Sequence, residues 1–140
     1  MNIVMSYDNN NEIKVFPVVP DELGYEQPQN NEEFETVNAG ILNLIGDMGL
    51  RTLSISSMFP THDYKWLKVG SSSDGQSYVD FIEKIQRLKV PARIVVTYAN
   101  GVEFLNMACT VESFNPRLMK NEDIKYDLNL KEYTFTKVGV

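Results

Sequence analysis

Alternating apolar residues most restrict the folds that this chain can adopt. Three stretches place apolar side chains at alternate positions, interrupted only by Ser57, a pattern typical of strands that bury one face. The positions are Leu53, Ile55 and Phe59; Leu105, Met107, Cys109 and Val111; and Ile124, Tyr126, Leu128 and Leu130. Asn100-Gly101 precedes the second stretch and predicts a two-residue type I′ hairpin turn, because both residues tolerate a positive φ. We therefore predict an antiparallel sheet.

A single helix is predicted between the strands, over residues 77–89. Its apolar residues recur at intervals of three and four, which places them on one helical face. They are Tyr78, Phe81, Ile82, Ile85 and Leu88. Ser77 is the expected N-cap, with Asp80 completing a box-like start, and Pro91 is expected to stop the helix.

These elements together predict an α+β fold that is mainly antiparallel β, in a curled sheet or sandwich with one flanking α-helix. A chain of 140 residues suits one domain, so we predict a single unit over residues 1–140. Residues 1–11 and 21–35 are predicted to be loop-like or extended. The first range ends in three asparagines, and the second is polar without a core pattern.

Three details of the strands can also be predicted. The run Ile94-Val95-Val96 indicates a strand covered on both faces. Asn115-Pro116 is expected to break the strand that returns from the hairpin. After Leu130 the alternation changes phase, which predicts either a bulge near residues 131–132 or a strand end exposed to another subunit.

The segment over residues 40–50 is apolar, is interrupted by three glycines and carries almost no reactive groups. The glycines match no phosphate-binding spacing and indicate turns or close packing of backbone on backbone. Such a segment is better suited to contacting a protein than a substrate. We predict a subunit interface formed by Ile41, Leu42, Leu44, Ile45, Met48 and Leu50.

Charge and composition exclude several classes of protein. The net charge of −6, with scattered Lys and Arg residues, argues against nucleic-acid binding, which usually requires a basic surface. The single cysteine, Cys109, excludes an internal disulfide framework. We see neither a signal peptide nor the ~18 consecutive apolar residues of a membrane span. We expect no nucleic-acid partner and no membrane partner.

The reactive side chains form no recognisable catalytic or metal-binding pattern. His62 could pair with Asp63 or with Cys109, but nothing fixes that geometry, and a second histidine for zinc is missing. We expect no enzymatic activity, no cofactor and no metal. Two alternatives stay open. One is a small-ligand or glycan-binding module with Tyr64, Trp66 and the hairpin around a pocket. The other is a carboxylate hydrolase that uses Glu103, Glu112 and Asp127.

The order and spacing of seven segments resemble a known family. The segments are VFPVVPDEL (15–23), ILNLIGDMGLRT (41–52), SISSMFP (54–60), YVDFIEKI (78–85), PARIVVT (91–97), VESF (111–114) and DLNLKEY (127–133). In this order they resemble the N-terminal domain of LysM-containing tail and baseplate proteins from contractile-tailed phages and PBSX-like defective prophages. The family usually continues into a LysM module, which this sequence lacks, so a glycan-binding role of that module is not carried over.

The resemblance implies a structural role and a tail-tube-like fold. The expected protein is a component of a phage or phage-like contractile tail, at the baseplate hub or the tube–spike junction. It would assemble with itself in a ring, as a hexamer in related systems, and with neighbouring tube, hub or spike proteins. It would be located in a virion or tail-like particle that is assembled in the bacterial cytoplasm. The family offers no catalytic residues to carry over.

Overall fold

The computed structural model describes residues 1–136, and within them the chain forms nine strands and one helix. The elements are β1 (Asn2–Tyr7), β2 (Glu12–Val15), β3 (Tyr25–Glu26), β4 (Glu32–Thr36), β5 (Gly40–Leu44), β6 (Thr52–Phe59), α1 (Gly75–Leu88), β7 (Ala92–Thr97), β8 (Glu103–Leu118) and β9 (Ile124–Glu132). The predicted fold class, mainly antiparallel β with one flanking helix, is confirmed. The last four positions of the predicted domain, 137–140, lie outside the described residues.

Seven strands form one antiparallel sheet in the order β2-β1-β7-β8-β9-β6-β3, and β4 and β5 form a separate two-stranded ribbon. Residues 1–11 and 21–35 were predicted to be loop-like or extended, and the structure contains strands in both ranges. β1 lies inside the large sheet, between β2 and β7, with Ile3 and Met5 fully buried. β3 and β4 lie in the second range, where nearly every residue is exposed.

One face of the large sheet and one face of α1 form the hydrophobic core. The alternation predicted for β6, β8 and β9 is confirmed, because its apolar positions are buried, except for Val111, which is half-buried. The prediction that β7 is covered on both faces is wrong. Ile94 and Val96 are buried, but Val95 between them is only half-buried. A β-branched side chain favours a strand even where one face stays partly open.

The helix begins two residues earlier than predicted, and Asp74 caps it instead of Ser77. The Asp74 side chain accepts a hydrogen bond from the Ser77 backbone amide, so Ser77 lies inside the first turn. The predicted apolar face packs on the core except for Leu88, which is exposed at the end of the helix. Lys89 ends the helix in a left-handed conformation with φ of 56°.

The turn between β7 and β8 has three residues and not two. The Gly101 amide donates to the Tyr98 carbonyl at 3.0 Å, and the Tyr98 amide donates to the Val102 carbonyl at 2.8 Å. Gly101 has a positive φ of 87°, whereas Asn100 does not adopt a positive φ. This pattern fits a type I turn followed by a left-handed glycine. The Asn100 side chain accepts a hydrogen bond from the Val102 amide, which favours the longer turn.

β8 continues through Pro116 to Leu118, so the predicted break at Asn115-Pro116 is wrong. β7 pairs with β8 only as far as Cys109, and beyond that point β8 has β9 on one side alone. Proline is tolerated at such an edge because no neighbour needs its amide hydrogen. The predicted bulge near residues 131–132 is also misplaced, because the register shift lies in β8, between Val111 and Ser113.

Candidate assembly surface

An arm formed by residues 27–50 leaves the sheet between β3 and β6. β4 and β5 form its outer part, and residues 28–31 and 46–49 form its stem. No residue from position 21 to position 50 is buried. From Pro28 to Thr36 the arm spans roughly 26 Å if fully extended, at about 3.3 Å per residue. It therefore lies apart from the core.

Backbone hydrogen bonds and two glycines hold the two sides of the stem together. The Gly49 amide donates to the Pro28 carbonyl and the Asn30 amide donates to the Asp47 carbonyl, both at 2.8 Å. A Cβ atom on Gly46 would clash with the Asn30 carbonyl oxygen, and one on Gly49 would lie 2.8 Å from the Pro28 side chain. The predicted close packing of backbone on backbone thus occurs within the chain.

The tip of the arm is a short turn in which glycine is required. The Thr36 hydroxyl donates to the Gly40 carbonyl at 2.8 Å and accepts from the Ala39 amide at 3.0 Å. Gly40 has a φ of +73°, which residues with a side chain rarely adopt. The turn fixes the register of the two strands, so that Phe34 lies opposite Leu42.

This register gives the β4–β5 ribbon two different faces. Phe34, Leu42 and Leu44 lie on one face together with Glu32, because side chains alternate along each strand and Phe34 pairs with Leu42 and Glu32 with Leu44. Glu33 and Glu35 lie on the other face, opposite Asn43 and Ile41. One face is therefore mainly apolar and the other mainly acidic.

All six residues of the predicted interface are on this arm and are exposed to solvent. The most exposed are Ile45, Ile41 and Met48, at 84%, 69% and 66%. Leu42, Leu44 and Leu50 are also exposed. Phe34 is also exposed and lies on the ribbon face of Leu42 and Leu44, whereas Ile41 lies on the opposite face. Phe34 was not predicted, because three glutamates surround it in the sequence.

Charge is distributed unevenly between residues 21–50, which include the arm, and the rest of the chain. Residues 21–50 contain seven of the nineteen Asp and Glu residues and none of the thirteen Lys and Arg residues. The rest of the chain therefore has twelve acidic and thirteen basic residues. The net negative charge of the protein resides in this segment.

Arg51 and Glu132 connect the base of the arm to the end of β9. The Arg51 amide and guanidinium each donate to the Glu132 carboxylate at 3.0 Å, and the Glu132 amide donates to the Arg51 carbonyl at 2.8 Å. These hydrogen bonds from Arg51 lower the pKa of Glu132. The guanidinium carbon also lies 5.6 Å from the centre of the Tyr25 ring. The base of the arm is thus held more firmly than its tip.

His62 contacts Asp123, a partner that the sequence did not suggest. Asp123 is fully buried and accepts hydrogen bonds from the Thr61 amide (2.8 Å), His62 Nδ1 (3.1 Å) and the Tyr64 hydroxyl (2.6 Å). Burial alone would raise the pKa of Asp123, but the hydrogen bonds from Tyr64, Thr61 and His62 outweigh it and lower the pKa to about 2. The carboxylate therefore organises the loop that follows β6.

Cys109 is buried, and the three carboxylates considered for catalysis are either hydrogen-bonded or exposed on a strand. Burial raises the pKa of the Cys109 thiol to about 12, which makes it a poor nucleophile. Hydrogen bonds from Ser56 and Arg117 lower the pKa of Asp127, which pairs with Arg117 at 2.7 Å. Glu103 and Glu112 are exposed on β8. In residues 1–136, no three His, Cys, Asp or Glu side chains cluster as a metal site would need.

Tyr64 and Trp66 stack on each other, with ring centres 4.8 Å apart, in the loop after β6. They do not line the small apolar cleft of about 230 Å³ beside the hairpin, which is formed by Met1, Leu23, Tyr98 and Phe104 among others. The expected pocket that combines both aromatic residues with the hairpin is therefore not formed there. No helix within the described part of the chain has the length and apolar character to cross a membrane.

Comparison with known proteins gives matches at the level of structure alone. No known protein family and no curated protein matches the sequence. A chain from the virion of a native gene transfer agent particle aligns with a TM-score of 0.59 and 8% identity, over 95% of this chain and 92% of that chain. A chain from the tail of the empty gene transfer agent particle, refined with C6 symmetry, gives 0.56 and 10%, over 96% of each chain.

A third similar structure comes from the baseplate of the anti-feeding prophage, symmetrised six-fold. It aligns with a TM-score of 0.54 and 9% identity, over 95% of this chain and 88% of that chain. In all three cases almost the whole of both chains is aligned, so the likeness extends to the complete fold. This chain therefore has the same fold as chains in gene transfer agent and anti-feeding prophage particles.

Proposed function

We propose that this chain is a non-enzymatic structural subunit of a phage-tail-like particle and that it acts by assembly. The observation that carries this proposal is the arm, a two-stranded projection with an exposed apolar face. The fold shared with chains of tail and baseplate particles supports it. The resemblance of the seven sequence segments to tail and baseplate proteins supports the same role.

The physical reason lies in the cost of leaving the arm unpartnered. A two-stranded ribbon is only marginally stable in water unless another surface packs on it. The apolar side chains of β5 and the stem lie on no part of their own core. Burying one Leu or Ile side chain contributes roughly 1.5–3 kcal/mol, so several of them together would stabilise a contact between subunits.

The finer form of the proposal concerns position and partners. We place the subunit in a ring, with six copies as the expected number, at the baseplate hub or the tube–spike junction of a contractile tail. Its partners would be copies of itself and neighbouring tube, hub or spike proteins. It would act in a virion or tail-like particle assembled in the bacterial cytoplasm. The six-fold symmetry given for two of the similar particles is compatible with such a ring.

The test is to introduce a charge at the proposed interface. Leu44→Asp and Met48→Asp should each weaken assembly by tenfold or more, on the order of the energy of one buried apolar side chain. The free energy of unfolding should change by less than about 0.5 kcal/mol, because both residues are exposed in the free subunit. Native mass spectrometry, electron microscopy of rings or tails, and urea unfolding supply the measurements.

Val69→Asp is the matched control, since Val69 is exposed but lies far from the arm in the sequence. It should leave both assembly and stability unchanged. If Leu44→Asp unfolds the domain, the segment belongs to the folding core. If all three variants assemble equally well, the interface is elsewhere.

A small-ligand or glycan-binding module is the second candidate, favoured by the apolar cleft at the β7–β8 hairpin. In that case Tyr98 and Phe104 would contact the ligand. Screening of ligands by NMR should then shift the signals of hairpin residues, and Phe104→Ala should abolish the shift. An unchanged spectrum with every ligand class would exclude this function for the cleft.

A further inference from the structure

We propose that the arm of one copy binds a cleft beside the C-terminal end of α1 on a second copy. The inference rests on the proposed function and names the partner surface of the arm. The cleft has a volume of about 590 Å³ and lies at the other side of the sheet from the arm. Its walls include Tyr7, Leu88, Val90, Arg93, Ala108 and Phe135.

The cleft presents apolar surface to solvent. Leu88 is 52% exposed and Phe135 is 61% exposed, although both side chains are large and apolar. Leu88 belongs to the apolar face of α1 but extends past the core. The volume lies within the range of roughly 300–1,000 Å³ found for clefts that hold compact ligands. It can therefore accept side chains from the apolar face of the ribbon, such as Phe34 and Leu42.

Basic side chains accompany this apolar surface. Arg93 lines the cleft, and Arg87 and Lys89 flank Leu88 in the sequence, and all three are exposed. The ion pairs found in residues 1–136 use Arg51, His62, Lys84 and Arg117, so none of the three is engaged in one. Arg93 donates to the Asn106 side chain at 2.7 Å, which leaves its positive charge uncompensated.

The arm supplies the complementary surface. The apolar face of its ribbon, with Phe34, Leu42 and Leu44, also carries Glu32, which pairs with Leu44. The segment 21–50 has no Lys or Arg that could repel the basic cleft. Asp8 is the acidic residue among those that line the cleft. Both the apolar and the charged components of the two surfaces therefore match.

The positions of the two surfaces favour a head-to-tail contact between copies. The arm leaves from β3 and β6, whereas the cleft is centred on β1 and β7. Four strand spacings of about 4.8 Å separate β3 from β7, or roughly 19 Å along the curved sheet. A contact between two different surfaces on identical subunits repeats around an axis and gives a ring if the rotation closes. An arm of about 26 Å is long enough to reach a neighbouring copy.

Exchange of charges between the two surfaces tests the proposal. Glu32→Lys should weaken self-association about tenfold or more, and so should Arg93→Glu, because each juxtaposes like charges. A chain with both substitutions should recover association to within about threefold of the original, since the contact again pairs opposite charges. Sedimentation or native mass spectrometry at low salt, near 0.05 M, gives the dissociation constants, because screening is weak there.

Lys65→Glu is the control, because it makes the same change in net charge as Arg93→Glu but at an exposed position outside the cleft. It should leave the association constant nearly unchanged. Circular dichroism should show that every variant is folded, as expected for exposed positions. If the variant with both substitutions associates as weakly as Glu32→Lys and Arg93→Glu alone, the arm does not bind this cleft.

Cross-linking then locates the contact. Chains carrying Phe34→Cys and differently tagged chains carrying Leu88→Cys should form a mixed disulfide when combined with an added thiol oxidant such as copper phenanthroline, while the buried Cys109 stays unreactive. Rings or tails that form without this cross-link would overturn the inference and leave the proposed function standing, with another surface or another tail protein as the partner of the arm. A chain that neither associates nor enters tail particles would contradict both.

Discussion

At the scale of single residues, Asp123 stands out because its charged side chain is completely buried. Its carboxylate is removed from water and receives hydrogen bonds from Thr61, His62, Tyr64 and Asn121. A buried charge is tolerated only when such donors replace its hydration. Asp123 directly precedes β9, the strand that pairs with β6. These bonds therefore join the loop after β6 to the start of β9.

Asp123→Asn should therefore destabilise the protein by about 2–4 kcal/mol, because the amide group turns a donor toward donors. Urea unfolding at pH 7 gives the change in free energy of unfolding. Asp63→Asn is the control, since Asp63 is an exposed acidic residue of the same loop. An equal effect of both variants would mean that the hydrogen bonds to Asp123 contribute little.

The stabilisation by Asp123 should also depend on pH. Its pKa is lowered from the ordinary value of 3.8 to about 2 in the folded protein. A group whose folded pKa is depressed contributes stability above its unfolded pKa and loses that contribution as the pH falls toward the folded value. The difference in stability between the original chain and Asp123→Asn should thus be constant above about pH 5 and shrink toward pH 2. A difference that grows on acidification would contradict this account.

At the scale of elements, the stem of the arm depends on close contact between its two sides. Gly46→Ala would place a methyl group against the Asn30 carbonyl oxygen, so the stem must open. We expect faster cleavage of the arm by proteases and faster hydrogen exchange at residues 28–31 and 46–49, with the free energy of unfolding of the body changed by less than about 1 kcal/mol. Gly24→Ala is the control, because no atom lies within 4 Å of a Cβ there. Equal protease sensitivity of the two variants would show that the stem tolerates the methyl group.

Elements with a regular period were predictable, and elements decided by a neighbouring side chain were not. The alternation in β9 and the apolar face of α1 follow from burial, which the residue types record directly. The loop between β7 and β8 gained a residue because the Asn100 side chain binds the Val102 amide. Pro116 stays inside β8 because β7 has already ended. The second reason depends on where a neighbouring strand ends, which the local sequence does not show.

At the scale of the whole molecule, the arm and the body are separable parts. Replacing residues 30–47 with Asn-Gly would join Gln29 to Met48, which already pair with each other in a β-bridge. The shortened chain should unfold within about 1 kcal/mol of the original, because no residue of the arm is buried, and it should form no rings. Urea unfolding and electron microscopy measure the two outcomes.

An intact arm with the same turn residues is the matched comparison. Val37→Asn with Asn38→Gly places Asn-Gly at the tip without shortening the arm, and it should keep its ability to assemble. If the shortened chain loses several kcal/mol, the arm contributes to folding. If it still forms rings, the subunits contact one another through the body alone.

The candidate site could be predicted only in part from the sequence. The apolar residues of the segment 41–50 identified a surface without core function, because glycines interrupt every possible helix or long strand. Residues 28–36 pair with that segment within the chain. They are mostly polar and show no periodic pattern from which this pairing could be predicted. The salt bridge between Arg51 and Glu132 joins residues that are far apart in sequence, so it becomes visible only in the fold.

The strand order has a consequence for how the chain is made. β1 is synthesised first, yet it lies between β2 and β7 and must wait for residues 92–97 before its second edge is paired. β6 must likewise wait for β9, at residues 124–132. Pairing between such distant segments is slow, and unpaired apolar strand edges associate with other chains. The nascent chain therefore cannot complete its sheet until residues 124–132 have left the ribosome, and chaperones that cover apolar strands should raise its yield.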